Sequence, residues 1–235
     1  MNGEEATDLV KLTQVENAVD SLSTFLQFLA RDDRMKWKWV AIAIHHTAYS
    51  FCVAALAERS PALVISLGRL DEEKTFYKRD SRDKWKQAKK ELIDGGPAYR
   101  LRWEETDEDP EQRDTPKLPG RPKLIPFFSA LARVQDGEFW MHQFVGTKPL
   151  VLSLEQIRNF VWLNNEIRNE LMHFVPGLLL EIELTRLKQT SLDALESIEF
   201  LTFGSNVMSD YDDSWKSRVR VVLSACRPLL AAPAK

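Results

Sequence analysis

Three polar side chains in the second half of the chain have types and spacing that could do chemistry together. Arg168, Asn169 and His173 lie in the string Arg-Asn-Glu-Leu-Met-His. An arginine guanidinium keeps its positive charge and can bind a phosphate with two parallel hydrogen bonds. A histidine imidazole gives or takes a proton near neutral pH. Together these groups suit acid–base chemistry on a phosphate ester, in which developing negative charge must be stabilised.

The pattern around these residues predicts one long helix, residues 154–175, called here the motif helix. Ser153 and Gln156 have the spacing of a capping box at its start, and Pro176 interrupts the pattern at its end. The apolar residues that recur at helical spacing, and so predict a buried face, are Ile157, Phe160, Val161, Ile167 and Leu171. The polar residues expected on the opposite face are Asn165, Arg168, Asn169 and His173. We expect the last three to be close together without hydrogen bonds between them.

The N-terminal part of the chain predicts two further helices. The 235 residues include 44% hydrophobic residues, 29% charged residues and only nine glycines, a composition typical of a soluble helical protein. The apolar spacing predicts a first helix from a cap at Thr7 to about Ala30 and a second from about Met35 to Glu58. Because their connection is short, we expect the two helices to pack antiparallel. The length favours a single domain, residues 1–235.

Helices are also predicted before and after the motif helix. A short helix is expected from about Pro126, because the fixed backbone angle of proline suits a first helical position. Three helices are expected after the motif helix. The first covers residues 178–187, and the second covers residues 191–203 after a cap at Thr190 or Ser191. The third starts at about Ser209 and ends at Pro228. The predicted fold class is therefore all-α.

The string Arg-Asn-x-x-x-His near the end of a helix resembles the signature of the HEPN superfamily of helical-bundle proteins. The surrounding sequence LNNEIRNELMHFVP extends the likeness, which covers the first two helices, the motif helix and the helix after it. The resemblance implies a helical bundle of HEPN type. It also implies a homodimer in which two copies of the motif meet, with Arg168, Asn169 and His173 as the motif residues of each copy.

The resemblance further implies a metal-independent endoribonuclease, acting as a toxin or antiphage-defence effector. In this hypothesis His173 is the acid or base, Arg168 stabilises the phosphorane, and Asn169 orients His173 or the scissile phosphate. A separate antitoxin or regulatory chain is a possible partner. One alternative is a catalytically silent HEPN-like module that binds RNA, a nucleotide or a protein partner. Another is a structural role in which Arg168 pairs with a neighbouring glutamate, such as Glu166 or Glu170, or with one on another helix.

A charged segment separates the second helix from the motif helix. We predict that residues 71–125 form an insertion, partly disordered, because residues 104–122 are acidic and contain several prolines. The first part, residues 71–92, fits an exposed helix or an RNA-facing surface on which Tyr77 or Trp85 stacks on a base.

The remaining histidines and cysteines predict structural roles. His45 and His46 are adjacent, so their side chains diverge by about 100° and are not expected to bind one metal ion. A role in the core or at the surface is expected for both, and likewise for His142. Cys52 and Cys226 lie in apolar helical patterns and are expected to be buried thiols.

Composition and motif searches limit the other function classes. The net charge of −3 argues against nonspecific coating of nucleic acid. No stretch has the pattern of a transmembrane segment or a signal peptide, and the N-terminal sequence MNGEEATD is acidic and polar. We therefore expect a cytoplasmic protein with no membrane partner. No glycine-rich phosphate loop is found, so no cofactor is expected.

Overall fold

The computed structural model describes residues 13–59, 61–66, 123–135, 146–172, 181–208 and 213–232, and these residues form a bundle of helices. The helices are α1 (Gln14–Leu29), α2 (Lys36–Arg59), α3 (Phe127–Gln135), α4 (Leu154–Trp162), α5 (Asn169–Met172), α6 (Leu184–Glu199) and α7 (Asp213–Ala231). A π-helical turn, Leu163–Arg168, joins α4 to α5, and a second, Phe200–Gly204, extends α6. The prediction of an all-α chain is confirmed for the described residues, apart from one short pair of strands.

Helix α2 is the centre of the bundle. It packs against α1, α3, α6 and the π-turn Leu163–Arg168, and its residues Val40, Ile44 and Phe51 are completely buried. The stretch Lys36–Glu58 is long and apolar enough to cross a membrane, but 78% of its most apolar part is buried inside the protein. Such burial is typical of the core helix of a bundle, whose apolar residues pack against the neighbouring elements.

The start of α1 differs from the prediction. Thr13 has an extended backbone and caps the helix, so α1 begins at Gln14 rather than after Thr7. The Thr13 hydroxyl accepts a hydrogen bond from the Glu16 amide at 3.1 Å, and the Glu16 carboxylate accepts one from the Thr13 amide at 2.8 Å. This reciprocal capping box satisfies two amides that the helix leaves unpaired. Thr7 itself lies outside the described residues.

The predicted break at Thr190 or Ser191 is wrong, because α6 runs through both residues. They are completely buried, and their hydroxyls donate to the backbone carbonyls of Arg186 and Leu187, each at 2.8 Å. A hydroxyl that bonds the carbonyl four residues back is satisfied inside a helix and does not have to cap one. The helix begins instead at Leu184.

The predicted end of the last helix at Pro228 is also wrong. Pro228 lies inside α7, which continues to Ala231. A proline inside a helix removes one hydrogen bond to the carbonyl four residues earlier, here that of Ser224. Both Ser224 and Pro228 are on the exposed side of α7, where water can satisfy that carbonyl.

Two short strands lie on either side of residues 67–122, where the sequence predicts most of the charged insertion. The strands β1 (Ile65–Ser66) and β2 (Lys123–Leu124) pair antiparallel, with Ile65 opposite Leu124. Residues 67–122, which include most of the predicted insertion, lie outside the described residues. The predicted end of the insertion at residue 125 is too late, because Ile125 is completely buried and its amide donates to the Val64 carbonyl at 3.0 Å.

Candidate functional site

The motif helix begins as predicted but changes its winding halfway. The Ser153 hydroxyl accepts from the Gln156 amide at 3.2 Å, and the Gln156 side chain accepts from the Ser153 amide at 2.9 Å. This capping box starts α4 and is the one that the sequence predicts. Directly after α4, the π-turn Leu163–Arg168 adds one residue to a helical turn.

The π-turn rotates the buried face relative to the prediction. The predicted core residues Ile157, Phe160 and Ile167 are buried. Val161 and Leu171 are only half-buried, and Trp162 and Leu163 are buried in their place. Because a π-turn advances each residue by a smaller angle than an α-turn, the face after it no longer lines up with that of α4, which accounts for Leu171 but not for Val161, a residue of α4 itself.

The structure places Arg168 and Asn169 at the end of the π-turn and the start of α5. A guanidinium nitrogen of Arg168, Nη1, donates a hydrogen bond to Asn169 Oδ1 at 2.9 Å. The expectation that these side chains make no hydrogen bond is therefore wrong, since the long arginine side chain folds back onto its neighbour. His173 lies outside the described residues, so its position relative to Arg168 and Asn169 stays a prediction.

Arg168 and Asn169 line a cleft of about 500 Å³ between α2, the β2–α3 connection and the motif helix. The polar residues of its lining are His45, His46, Tyr49, Asn164, Arg168 and Asn169. The apolar residues are Ile42, Leu124, Ile125, Pro126, Phe127 and Met172. The cleft therefore combines one guanidinium with two imidazoles and two carboxamides.

Within the described residues, no ion pair joins Arg168 to Glu166 or Glu170. The alternative in which either glutamate neutralises the arginine is thus not the arrangement of the side chains. Arg168 is half-buried at the cleft, and its partner there is the neutral amide of Asn169. Among the described residues no carboxylate pairs with this guanidinium, and a guanidinium set among amide and imidazole groups is suited to bind an anion.

His45 joins α2 to the π-turn of the motif helix. Its Nε2 lies 2.8 Å from Asn164 Oδ1, and its ring packs on Phe127 with the centroids 4.6 Å apart. Burial lowers the pKa of His45 to about 4, and the positive charges of Arg168 and His46 act in the same direction. His45 is consequently neutral near pH 7, and the tautomer that fits the amide oxygen carries its proton on Nε2.

The two other polar residues that α2 contributes differ in exposure. His46 is exposed at the rim of the cleft, and the surrounding protein shields it from water enough to lower its pKa. The Tyr49 hydroxyl donates to the Ile125 carbonyl at 2.6 Å, which attaches the β2–α3 connection to α2. Burial raises the pKa of this hydroxyl, so it is a neutral donor.

Of the six polar residues in this lining, the sequence predicts two, Arg168 and Asn169, as site residues. The divergence of His45 and His46 is confirmed, with one ring in the core and the other at the surface. Their position beside Arg168 was not predicted, although Ile42, His46 and Tyr49 have a spacing of three and four residues that places them on one face of α2. Nothing in the local sequence of α2 indicates that this face meets the motif helix.

Other candidate groups have structural roles where the structure describes them. Cys52 and Cys226 are buried, as predicted, and burial raises the pKa of both thiols to about 12. Across the described ranges, no group of three or more histidine, cysteine, aspartate or glutamate side chains is placed to hold a metal ion. His142 lies outside these ranges.

Comparisons of the chain with protein-family models, with curated proteins and with solved structures find no match.

Proposed function

We propose that this protein is a metal-independent endoribonuclease of HEPN type that cleaves RNA by attack of a ribose 2′-hydroxyl. The observation that carries the proposal is the cleft in which Arg168 and Asn169 stand with His45, His46 and Asn164. A guanidinium, imidazoles and carboxamides are the groups that bind a phosphodiester, and Arg168 belongs to the motif on which the resemblance rests.

In this proposal the reaction needs one base and one acid. The base removes the proton of the 2′-hydroxyl, whose oxygen attacks phosphorus and forms a new phosphorus–oxygen bond. The bond to the 5′-oxygen breaks, and the acid protonates that oxygen as it leaves. The products are a 2′,3′-cyclic phosphate and a 5′-hydroxyl. His173 is the proposed base in one subunit and the proposed acid in its partner.

Arg168 and Asn169, the two motif residues that the structure describes, have different roles in this scheme. Arg168 stabilises the negative charge of the phosphorane, because a guanidinium keeps its charge throughout the reaction. Asn169 holds that guanidinium in place by accepting its hydrogen bond at 2.9 Å. The expected role of Asn169, orienting His173 or the scissile phosphate, stays a prediction.

His45 is not a candidate for the proton transfer. Its Nε2 is engaged by Asn164, and its pKa of about 4 keeps it unprotonated near neutral pH. A general base works best with a pKa near the working pH. We therefore assign His45 to positioning of the π-turn and leave the acid and base roles to His173.

The test is cleavage of a defined RNA by variants of Arg168, with analysis of the product ends. Arg168→Ala should lower the rate by roughly two to three orders of magnitude, as expected when one stabilising donor is removed from a reaction centre. Arg168→Lys should restore little, since an ammonium cannot replace the planar guanidinium. Lys148→Gln, at an exposed lysine outside the cleft, is the control and should cleave at the wild-type rate.

The product ends decide between the proposed reaction and hydrolysis by another route. Fragments from the wild type should carry a 2′,3′-cyclic phosphate or the 3′-phosphate that forms from it. A 3′-hydroxyl with a 5′-phosphate would contradict the proposal, because attack by a 2′-oxygen cannot produce these ends. Binding of RNA without cleavage would favour the catalytically silent module.

A further inference from the structure

An exposed face of α2 runs from the cleft towards the α1–α2 corner. Trp39, Ile42, His46 and Tyr49 follow one another at intervals of three, four and three residues, so they share one side of the helix. The last three line the cleft, and Trp39 lies beyond its lining. Seven residues separate Trp39 from His46, which corresponds to about 10 Å along the helix axis.

Trp39 is unusual in the described residues because a large aromatic ring is presented to solvent. It is 40% exposed, whereas most tryptophan surface is normally covered in a folded protein. One part of the ring stacks on Phe28, with the centroids 5.6 Å apart and the planes 18° from parallel. The stack fixes the orientation of the indole, and the exposed part can accept another flat ring.

Two cations lie over this aromatic pair, and one of them, Arg31, is also 3.9 Å from the Asp33 carboxylate. Lys38 Nζ lies 5.1 Å from the centre of the Trp39 ring, and the Arg31 guanidinium lies 5.3 Å from the centre of the Phe28 ring. Cation–π contacts at exposed sites are weak, so an incoming base can displace the Lys38 ammonium. Lys36 has a different role, because its Nζ donates to the Arg31 carbonyl at 2.8 Å and so closes the end of α1.

We propose that Trp39 and Lys38 form a second binding site, at which a single-stranded RNA leaving the cleft stacks one base on the indole and places a phosphate beside the ammonium. The proposal rests on the proposed function, since the cleft is taken to hold the scissile phosphate. A positively charged groove with an aromatic ring on which bases stack is the usual means of binding single strands without sequence preference. The stretch from His46 to Trp39 is within the reach of a short extended strand.

The composition of the site favours RNA over an anionic membrane surface. A helix face that lies in the membrane interface presents a continuous band of large apolar residues, whereas here Trp39 is followed along the face by Ile42, His46 and Tyr49, which enter the cleft. A duplex is also a poor fit, because the bases of a duplex are already stacked on one another and cannot stack on an indole.

The experiment measures binding of a fluorescein-labelled 2′-O-methyl oligouridylate of about 12 nucleotides, a length in the range that single-strand binding folds cover. The methyl groups block attack by the 2′-oxygen, so binding is measured without cleavage. Fluorescence anisotropy in EDTA gives the dissociation constant for the wild type, Trp39→Ala, Trp39→Phe and Lys38→Gln. Circular dichroism shows whether each variant is folded.

Trp39→Ala should weaken binding roughly fivefold to a hundredfold, the effect of losing one stacked base. Trp39→Phe should retain most of the affinity, because a phenyl ring still stacks. Lys38→Gln should reduce the slope of log affinity against log salt by roughly 0.7, the loss of one phosphate contact on a single strand. Lys148→Gln, which removes an exposed lysine elsewhere, should change neither quantity.

Failure of this site and failure of the proposed function give different results. Equal binding by the wild type and Trp39→Ala, with RNA still cleaved by the wild type, would overturn the second site and leave the nuclease intact. Trp39-dependent binding without any cleavage by the wild type would support the site and count against the nuclease. No binding by the wild type, or Trp39-dependent binding to phosphatidylglycerol vesicles in place of the oligonucleotide, would overturn the site directly.

Discussion

At the scale of single residues, the buried His45 positions the half-buried side chain of Asn164 in the π-turn. It is separated from Asn164 by 119 positions in the sequence, yet its Nε2 contacts the amide oxygen of that residue at 2.8 Å. Asn164 in turn donates from Nδ2 to Asn165 Oδ1 at 2.8 Å. The two bonds hold the side chains of Asn164 and Asn165 in the π-turn, which ends at Arg168.

The lowered pKa of His45 predicts that the protein loses stability in mild acid. Its pKa is about 4 in the folded protein against an ordinary value of 6.5, so between these values the unfolded chain binds more protons. The free energy of unfolding should therefore be highest above about pH 6.5 and fall towards pH 4, by up to about 3 kcal/mol from this residue. Urea titrations at a series of pH values measure the fall.

His45→Gln is the matched variant for this prediction. The glutamine amide can still donate to Asn164 but cannot be protonated in this range. We expect the variant to show a smaller loss of stability between about pH 6.5 and about pH 4 than the wild type. Equal losses would show that His45 is not the titrating group. Carboxylates that titrate in the same range contribute equally to both proteins and cancel in the comparison.

Single residues also show the limit of sequence reasoning. The spacing of Arg168 and Asn169 places their Cβ atoms about 100° apart, which predicts side chains that are close together without a hydrogen bond between them. The arginine is long enough to fold back and bond Asn169 Oδ1. Helical spacing fixes where a side chain starts, whereas the end of a long side chain depends on its rotamers and its surroundings.

At the scale of helices and turns, the capping boxes can be predicted and the π-turn cannot. Ser153 with Gln156 starts α4 as expected, and Thr13 with Glu16 has the same spacing, although Thr7 was predicted as the cap. A cap depends on residues three apart, so the local sequence contains the signal. The π-turn Leu163–Arg168 packs against α2, and that contact is not encoded in the local pattern.

A buried hydrogen-bond network attaches the motif helix to α6, and it predicts a stability change. Asp193 is buried and accepts from Asn159 Nδ2 at 2.9 Å and from Gln189 Nε2 at 3.1 Å. Asp193→Ala would leave the buried Asn159 amide without this acceptor, which costs about 1–3 kcal/mol. We expect that fall in the free energy of unfolding, measured in urea at pH 7.

Glu196 provides the control for the Asp193 variant. It also lies on α6 and accepts a hydrogen bond from the motif helix, from Gln156 Nε2 at 3.3 Å, but it is exposed. Because water can replace an exposed partner, Glu196→Ala should cost less than about 1 kcal/mol. Similar losses in the two variants would show that the network does not depend on burial.

At the scale of the whole molecule, the predicted homodimer should use the surface around the cleft. Met172 is 54% exposed and Leu124 is 56% exposed, and both line the cleft beside Arg168. Large apolar side chains at the rim of a polar site are typical of a surface that another protein covers. We predict that a second copy covers this surface, as the motif resemblance implies.

Met172→Glu should therefore weaken the dimer. A carboxylate at this position would be desolvated on association, so the fraction of dimer at a given concentration should fall. Sedimentation equilibrium of the wild type and the variant measures the change. Val221→Glu, at a residue that is 69% exposed on α7, is the control and should dimerise like the wild type. A monomeric wild type, or an unaffected Met172→Glu, would contradict the predicted interface.

The whole-molecule features differ in how well the sequence predicts them. Apolar periodicity identifies α1 and α2, since Val19, Leu22, Val40 and Ile44 are buried as their spacing predicts. The cleft combines residues from α2, β2, α3 and the motif helix, which are far apart in the sequence. Such an arrangement depends on the packing of whole helices, and periodicity within one helix does not determine it.

The most direct test of the proposed nuclease is cleavage of a mixed RNA pool in EDTA by the wild type and by His173→Ala, with the native mass of each measured. We predict that the wild type cuts and that His173→Ala forms the same dimer without cutting, because the proposed acid and base are both lost. Cutting by both proteins, or by neither while both are dimers, would contradict the assignment of His173 and with it the proposed function.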